Sequence, residues 1–210
     1  MEIEAKFAIT GPLDSAALAA VDLGPYRLAA PRQQIYRDLL LDTPGRVITG
    51  SGHALRLRFV EDGAILTFKG PGRRSGSIHE REELEEWLPL GAENDRGRWP
   101  PVIAGRVRAL AGDEPLTPII SLELRRQTWA VERGGDVVGE LALDEGMIRA
   151  GGAAESVHEL EIEIKGDLER QELDWLGRRL CEQLPLQPEP RTKLQRGLAL
   201  LQGRDASGDE

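Results

Sequence analysis

The sequence has little cysteine and few aromatic residues. One residue in 210 is cysteine, Cys181, and aromatic residues make up 4%. A single cysteine excludes a disulfide framework or a cysteine-ligated zinc site within the chain, and we expect a reducing, cytoplasmic location. No apolar run approaches the roughly 20 residues that span a bilayer, and no basic segment followed by an apolar one indicates a signal peptide. We therefore expect no membrane partner.

Positive charge is also in short supply. The chain has 27 Lys and Arg residues against 36 Asp and Glu residues, a formal net charge of −9. An acidic chain is poorly suited to nonspecific binding of nucleic acid or anionic membranes, so neither is an expected partner. A local basic pocket for a small anion remains compatible with this composition. The sequence leaves the oligomeric state open between monomer and homodimer.

The hydrophobic pattern predicts one domain of mostly antiparallel strands with a few helices. We expect a domain over 1–202 and a disordered tail over 203–210, since no repeat or linker divides the chain. Alternation predicts strands at 2–10, 33–42, 54–60, 64–69, 118–131, 137–144 and 157–165. Spacing and caps predict helices at 12–21, 102–111, 168–183 and 191–202. The stretch 78–88 fits a helix by its Glu content and a strand by its neighbours. The Gly-rich stretch 70–77 lacks the G-K-[ST] ending of a P-loop and is expected to be a loop.

Charged side chains occupy one face of several of these strands. In MEIEAKF, alternation places Glu2, Glu4 and Lys6 together, opposite Ile3, Ala5 and Phe7. The same alternation places charged residues on one face of further strands. These are Arg56 with Arg58, Lys69 in the segment AILTFK, Glu140 with Asp144, Glu159 with Glu161 and Glu163, and, if 78–88 is a strand, Arg81 with Glu83 and Glu85.

These charges are segregated by sign, with basic residues on some strands and acidic residues on others. Like charges two residues apart repel, so an ion of opposite sign is expected over each set. Clustered carboxylates suit Mg²⁺ or Mn²⁺, and clustered Arg and Lys suit phosphate oxygens. A metal-chelated polyphosphate satisfies both, most simply inside a closed sheet whose apolar faces are covered by helices. For any one strand, a solvated outer face is the plainer interpretation.

The ordered set of motifs resembles the CYTH proteins, the triphosphate tunnel metalloenzymes. The matching motifs are E-x-E-x-K at residues 2–6, LRLR, the TFK lysine, R-x-E-x-E at 81–85, ALD, ELEIEI, and K-x-x-R-G at 193–197, with DTP at 42–44 as a further matching turn. The resemblance covers the chain to about residue 202. It implies an α+β fold, an eight-stranded antiparallel β-barrel that forms a tunnel with a charged interior and flanking helices.

The resemblance also implies roles for the charged residues. Phosphate would be bound by the basic set, which is Lys6, Arg56, Arg58, Lys69, Arg81, Arg126 and Lys193. The metal, Mg²⁺ or Mn²⁺, would be bound by Glu2, Glu4, Asp144, Glu159, Glu161 and Glu163. The residues closest to the chemistry would be Glu2, Glu4, Lys6, Glu161 and Glu163. Basic side chains or a water would be oriented by Glu83, Glu85 and Glu140.

Two positions depart from the family pattern. Leu40 and Leu41 replace the aromatic residues usually found before DTP. Arg125 and Arg126 leave the register of their strand open, and Arg126 is favoured although it shares its face with Leu122 and Leu124.

The expected function is metal-dependent hydrolysis of a triphosphate by in-line attack of water. The segments ALDEG, HELEIEI and KLQRG look most similar to the bacterial tripolyphosphatase branch, which makes inorganic tripolyphosphate the leading substrate and pyrophosphate and phosphate the products. The alternatives are a class IV-type adenylate cyclase, for which no adenine pocket can be named from the sequence, and a non-catalytic polyphosphate-binding module.

Overall fold

Antiparallel strands are the main regular structure of the protein, a computed structural model that describes residues 1–205. The strands are β1 (Glu2–Ile9), β2 (Tyr26–Leu28), β3 (Arg32–Asp42), β4 (Ala54–Val60), β5 (Gly63–Lys69), β6 (Arg73–Ser75), β7 (Ile78–Arg81), β8 (Glu83–Pro89), β9 (Thr117–Arg133), β10 (Asp136–Ala150), β11 (Ala153–Ile164) and β12 (Leu186–Pro188). The helices are α1 (Ser15–Ala19), α2 (Val47–Gly50), α3 (Pro101–Ala111), α4 (Arg170–Gln183) and α5 (Lys193–Asp205). No described helix is long and apolar enough to cross a membrane.

The predicted strands and the three longer helices are all present, with shifted ends. The ambiguous stretch 78–88 is extended and forms β7 and β8. The helix predicted at 12–21 is shorter, because Asp14 caps it by accepting a hydrogen bond from the Ala17 amide at 2.8 Å. The expected loop 70–77 contains the short strand β6. The tail prediction overlaps α5, which runs to Asp205; the rest of that tail lies outside the described residues.

The strands form one curled antiparallel sheet. Its main hydrogen-bonded path has the order β6-β7-β1-β11-β10-β9-β3-β4-β5-β8, with β12 paired to β1 and β2 to β9. Only Glu82 separates β7 from β8, so one extended segment pairs with β1 through its first part and with β5 through its second. The two ends of the path are therefore joined by the chain. The hydrogen-bonded path itself is open, and a closed eight-stranded barrel stays a prediction.

Helices cover the outer face of this sheet, as the sequence predicts. The α3 helix contributes Ile103, Val107 and Ala111 to a core with the outward side chains of β4 and β5. The α4 helix begins with a reciprocal capping box between Glu169 and Glu172. It buries its leucines against β1, β10 and β11. These contacts remove apolar surface from water, which is the main favourable term in folding.

The α5 helix does not follow this pattern, because it packs on the inward face. Leu194, Leu198 and Leu201 contact a third core formed by Ile120, Leu122, Leu124, Ile148 and other inward side chains of β3, β9, β10 and β11. Leu122 and Leu124, unexpected in a charged interior, are thus explained: they lie where α5 covers the sheet. One end of the inward face is apolar and closed by α5, and the remainder is polar.

The close approach of α5 depends on Gly197. A Cβ at this position would lie 2.6 Å from Cδ1 of Ile120 and 2.9 Å from two more of its carbons. These distances are shorter than real Cβ contacts, so any larger residue displaces the helix or the strand. The glycine of the K-x-x-R-G motif is therefore required by packing.

We predict that Gly197→Ala destabilises the protein by about 1–3 kcal/mol through overpacking, although alanine is the better helix former. The matched control is Gly105→Ala in α3, where a Cβ meets nothing within 4 Å. That variant should gain about 0.5–1 kcal/mol. Urea unfolding of both variants measures the difference. A gain in stability at both positions would contradict the packing of α5 described above.

Candidate active site: a cavity between basic and acidic walls

The polar part of the inward face encloses a cavity of about 450 Å³. Of the residues that the sequence assigns to the site, only Asp144 and Glu159 do not line it. The lining set is Glu2, Glu4, Lys6, Arg56, Arg58, Lys69, Arg81, Glu83, Glu85, Arg126, Glu140, Glu161, Glu163 and Lys193. Alternation along strands has therefore brought together side chains from eight strands and α5.

One wall of the cavity is basic, formed by Arg56, Arg58 and Lys69 on β4 and β5 with Arg81 on β7. Burial and the neighbouring Arg81 and Arg56 lower the pKa of the Lys69 ammonium, although Glu2 and Glu83 oppose this. Burial and the adjacent Arg58 likewise lower the pKa of Arg56. Positive charge on this wall is thus crowded, although Arg56 pairs with Glu85 at 3.2 Å and Lys69 with Glu2 at 2.8 Å. An anion in the cavity would reduce the repulsion between these cations.

Asp38 on β3 positions this wall and was missed in the sequence. Its buried carboxylate accepts two hydrogen bonds from Arg58, from Nε and Nη2, each at 2.8 Å. The guanidinium carbon of Arg58 also lies 3.8 Å from the centre of the Tyr36 ring. The feature that reveals the role of Asp38 is its cross-strand pairing with Arg58. This pairing can be found only when the register of β3 against β4 is known.

An acidic wall adjoins the basic one and contains a cluster suited to a cation. Carboxylate oxygens of Glu2, Glu83 and Glu163 lie within 4.8 Å of one another. Oε1 of the neighbouring Glu4 is buried without a hydrogen-bond partner. Burial and the charge of Glu161 raise the pKa of Glu4, and burial raises that of Glu163. A divalent cation would favour the charged form of both.

Glu2 differs from these two because it is paired with the basic wall. Its carboxylate lies 2.8 Å from Nζ of Lys69 and accepts a 2.6 Å hydrogen bond from Nε of Arg81. Burial alone would raise its pKa, but Lys69 and Arg81 outweigh burial and lower the pKa to about 2. Glu2 therefore joins the two walls.

Lys193, at the start of α5, neutralises the deepest carboxylates. Its Nζ lies 2.9 Å from Asp144, 2.8 Å from Glu159 and 2.7 Å from Glu161. Burial would lower the pKa of this ammonium, yet the three carboxylates raise it well above its usual value. Asp144 and Glu159 are fully buried, and Lys193 contacts both of them from the cavity side.

The register of β9 is settled by Arg126. This residue faces the cavity and donates two hydrogen bonds of 2.6 Å to Asp144 and one of 2.8 Å to Glu161. Arg125 points the other way and pairs with the exposed Glu145 at 2.6 Å. The favoured register at this strand is therefore confirmed.

The donor set fits a hard divalent cation. All available ligand atoms in the acidic cluster are carboxylate oxygens, which Mg²⁺ and Mn²⁺ prefer. Oε1 of Glu4 is a buried acceptor without a hydrogen-bond partner. The clustered carboxylates of Glu2, Glu83 and Glu163 pair with Lys69, Arg81 or Lys165, so a cation would share them with these side chains. The roles of individual residues as metal ligands stay predictions.

A curled antiparallel sheet with oppositely charged walls around one cavity defines a protein of the triphosphate tunnel type. Residues 1–198 match the CYTH domain model, and the chain belongs to this family. Its fold is similar to HpAC1 from Hippeastrum, an adenylyl cyclase candidate with a dominant triphosphatase activity, at 22% identity and a TM-score of 0.69, covering 95% of this chain and 96% of the other. It is also similar to a candidate adenylate cyclase from Bacillus halodurans, at 19% identity and a TM-score of 0.58, covering 93% and 96% of the two chains.

We predict that Asp38→Asn destabilises the protein by about 3 kcal/mol, because it leaves the buried Arg58 without a counter-charge. The control is Asp174→Asn on α4, which removes an exposed 2.6 Å pair with Arg178. That change should cost less than about 1 kcal/mol. Chemical denaturation of both variants measures their free energies of unfolding. Equal losses of stability in the two variants would show that Asp38 has no special structural role.

Proposed function

We propose that this protein hydrolyses a triphosphate, with inorganic tripolyphosphate as the leading substrate and pyrophosphate and phosphate as products. The observation that carries the proposal is one cavity with a basic wall and an acidic wall. The basic wall suits the phosphates, and the acidic wall suits the cation that accompanies them. The triphosphatase activity of HpAC1, a protein of the same fold, supports hydrolysis over cyclisation.

Phosphate oxygens would be bound by Arg56, Arg58, Lys69 and Arg81. Asp38 and Tyr36 hold Arg58 in one orientation before any ligand binds, which reduces the entropy lost on binding. Negative charge that develops on the phosphate oxygens would be stabilised by these fixed cations. Arg126 and Lys193, predicted as phosphate ligands, are each within 3 Å of two or three carboxylates. We assign them mainly to neutralising the acidic wall.

The cation would be held by Glu2, Glu4 and Glu163, with Glu83 adjacent. When bound, a divalent metal polarises the phosphate and lowers the pKa of a water ligand. A carboxylate beside the metal would accept the proton of the attacking water. Glu163 lines the cavity and lies close to Glu2 and Glu83.

A phosphate-release assay tests this proposal. Tripolyphosphate, ATP, thiamine triphosphate and pyrophosphate are compared with Mg²⁺ or Mn²⁺, and cyclic AMP is measured alongside. We expect metal-dependent release of phosphate from tripolyphosphate. Formation of cyclic AMP in place of phosphate would indicate a cyclase. Tight binding of tripolyphosphate without turnover would indicate a binding module.

We predict that Glu4→Gln abolishes turnover and leaves the fold intact, since the change removes a carboxylate and little packing. Mg²⁺ should also raise the melting temperature less in this variant than in the wild type. The control is Glu86→Gln, an exposed residue on β8 beside Glu85, which should keep both turnover and the metal response. A folded Glu4→Gln protein with normal turnover would remove Glu4 from the site.

Glu4 also predicts a pH effect in the metal-free protein. Burial and the charge of Glu161 raise its folded-state pKa above the ordinary value of 4.5. The stability linked to its bound proton is therefore present below pH 4.5 and is lost as the pH rises through the folded pKa. The Gln variant cannot titrate here and should keep that stability. Without metal, its melting temperature should therefore equal or exceed that of the wild type at neutral pH. A clearly lower value would contradict the charge balance described for this wall.

A further inference from the structure

Trp87 on β8 is an exposed aromatic residue that no core of the described residues uses. It is 56% exposed and belongs to none of the three hydrophobic clusters. Along β8 it follows Glu83 and Glu85, which both line the cavity. Because side chains alternate along a strand, Trp87 has the next inward position beyond them.

The register against β5 places the indole beside Gly63. The pairing of β5 with β8 is regular, with Thr67 opposite Glu85 and Ile65 opposite Trp87. By alternation, Gly63 shares the inward face of β5 with Ile65 and Thr67. A Cβ built on Gly63 would lie 2.2 Å from the backbone oxygen of Leu88 and 3.3 Å from Nε1 of Trp87, so the glycine allows the end of β8 to approach β5 closely, and the indole lies beside it.

Trp87 continues the inward face of β8 past Glu83 and Glu85, which pair with Lys69 and Thr67. The part of the inward face that α5 covers is a different one, formed by Ile120, Ile148 and Val157. Ile65 links Trp87 to the basic wall, because it pairs with Trp87 on one side and with Arg58 on the other. Neighbouring strands are about 5 Å apart, so Trp87 and Arg58 belong to strands about 10 Å apart.

We infer that Trp87 is the stacking platform for the base of a nucleoside triphosphate whose phosphates occupy the cavity. This inference rests on the proposed function. A tripolyphosphate ion offers only oxygen atoms and gains nothing from an indole. A group esterified to the outermost phosphate would extend past the basic wall and Glu85, next to Trp87. The aromatic ring of Tyr36, which lines the cavity, is already covered by the guanidinium of Arg58.

This assignment makes Trp87 a specificity residue for the organic part of the substrate. Stacking a base on an aromatic side chain is sequence-tolerant, because every base has a π-face. We therefore expect purine nucleotides to be accepted with little dependence on the groups at the base edge. Tripolyphosphate, which lacks a base, should be handled independently of this residue.

The test compares kcat/KM for ATP and for tripolyphosphate in the wild type, Trp87→Ala and Trp87→Phe. Trp87→Ala should lower kcat/KM for ATP about tenfold, in line with the loss of one stacked base. The value for tripolyphosphate should stay within about twofold. Trp87→Phe keeps an aromatic ring and should restore most of the activity on ATP. GTP should follow ATP in all three proteins.

The matched control is Ile35→Ala, which removes an exposed apolar side chain, 81% accessible, next to the cavity-lining Gln34 and Tyr36 on β3. This variant should leave kcat/KM unchanged for both ATP and tripolyphosphate. An unchanged kcat/KM for ATP in Trp87→Ala, or equal losses on both substrates, would overturn the inference. If the wild type turns over no triphosphate, the proposed function fails. The stacking role is then tested by calorimetric binding of ATP and of tripolyphosphate to the wild type and to Trp87→Ala. Only ATP should bind more weakly to the variant.

Discussion

Neutralising buried carboxylates is the constraint on which the rest of this structure depends. Asp144 and Glu159 are fully buried, and Glu161 nearly so. Removing such charges from water costs several kcal/mol each unless cations pair with them. The α5 helix supplies two of these cations, Lys193 and Arg196, and Arg196 binds Glu159 and Glu155. The position of α5 on the inward face, and its need for Gly197, follow from this pairing together with apolar contact.

The pairing leaves the two halves of the cavity unequal. Near α5, Lys193 and Arg126 satisfy the carboxylates within the protein. Around Glu4, one buried carboxylate oxygen lacks a hydrogen-bond partner, and around Arg56 and Lys69, positive charge is crowded. A metal and an anion would remove both imbalances together. Ligand binding thus completes a charge balance that the fold leaves unfinished, which is a physical reason to expect the two ligands to bind cooperatively.

Much of this site could be predicted from the sequence, because alternation along a strand assigns side chains to faces directly. The charged residues of β1 and β4, and Glu161 and Glu163 of β11, were found in this way and do line one cavity. Asp38 was missed because its role depends on pairing with Arg58 across two strands, and register is not visible in one strand. The place of α5 was also missed, since an amphipathic helix shows which face is buried but not against which side of a sheet. The segment 78–89 was ambiguous because its Glu-rich composition favours a helix, while its pairing with β1 and β5 makes it extended.

The central claim is that metal lies on the acidic wall and phosphate on the basic wall of one cavity. The most direct measurement is a crystal structure with Mn²⁺ and a non-hydrolysable imidotriphosphate, using anomalous scattering to locate the manganese. The account predicts manganese within coordination distance of Glu2, Glu4 or Glu163, with phosphate oxygens bound by Arg56, Arg58 or Lys69. Manganese outside the cavity, or a triphosphate that does not contact the basic wall, would contradict it.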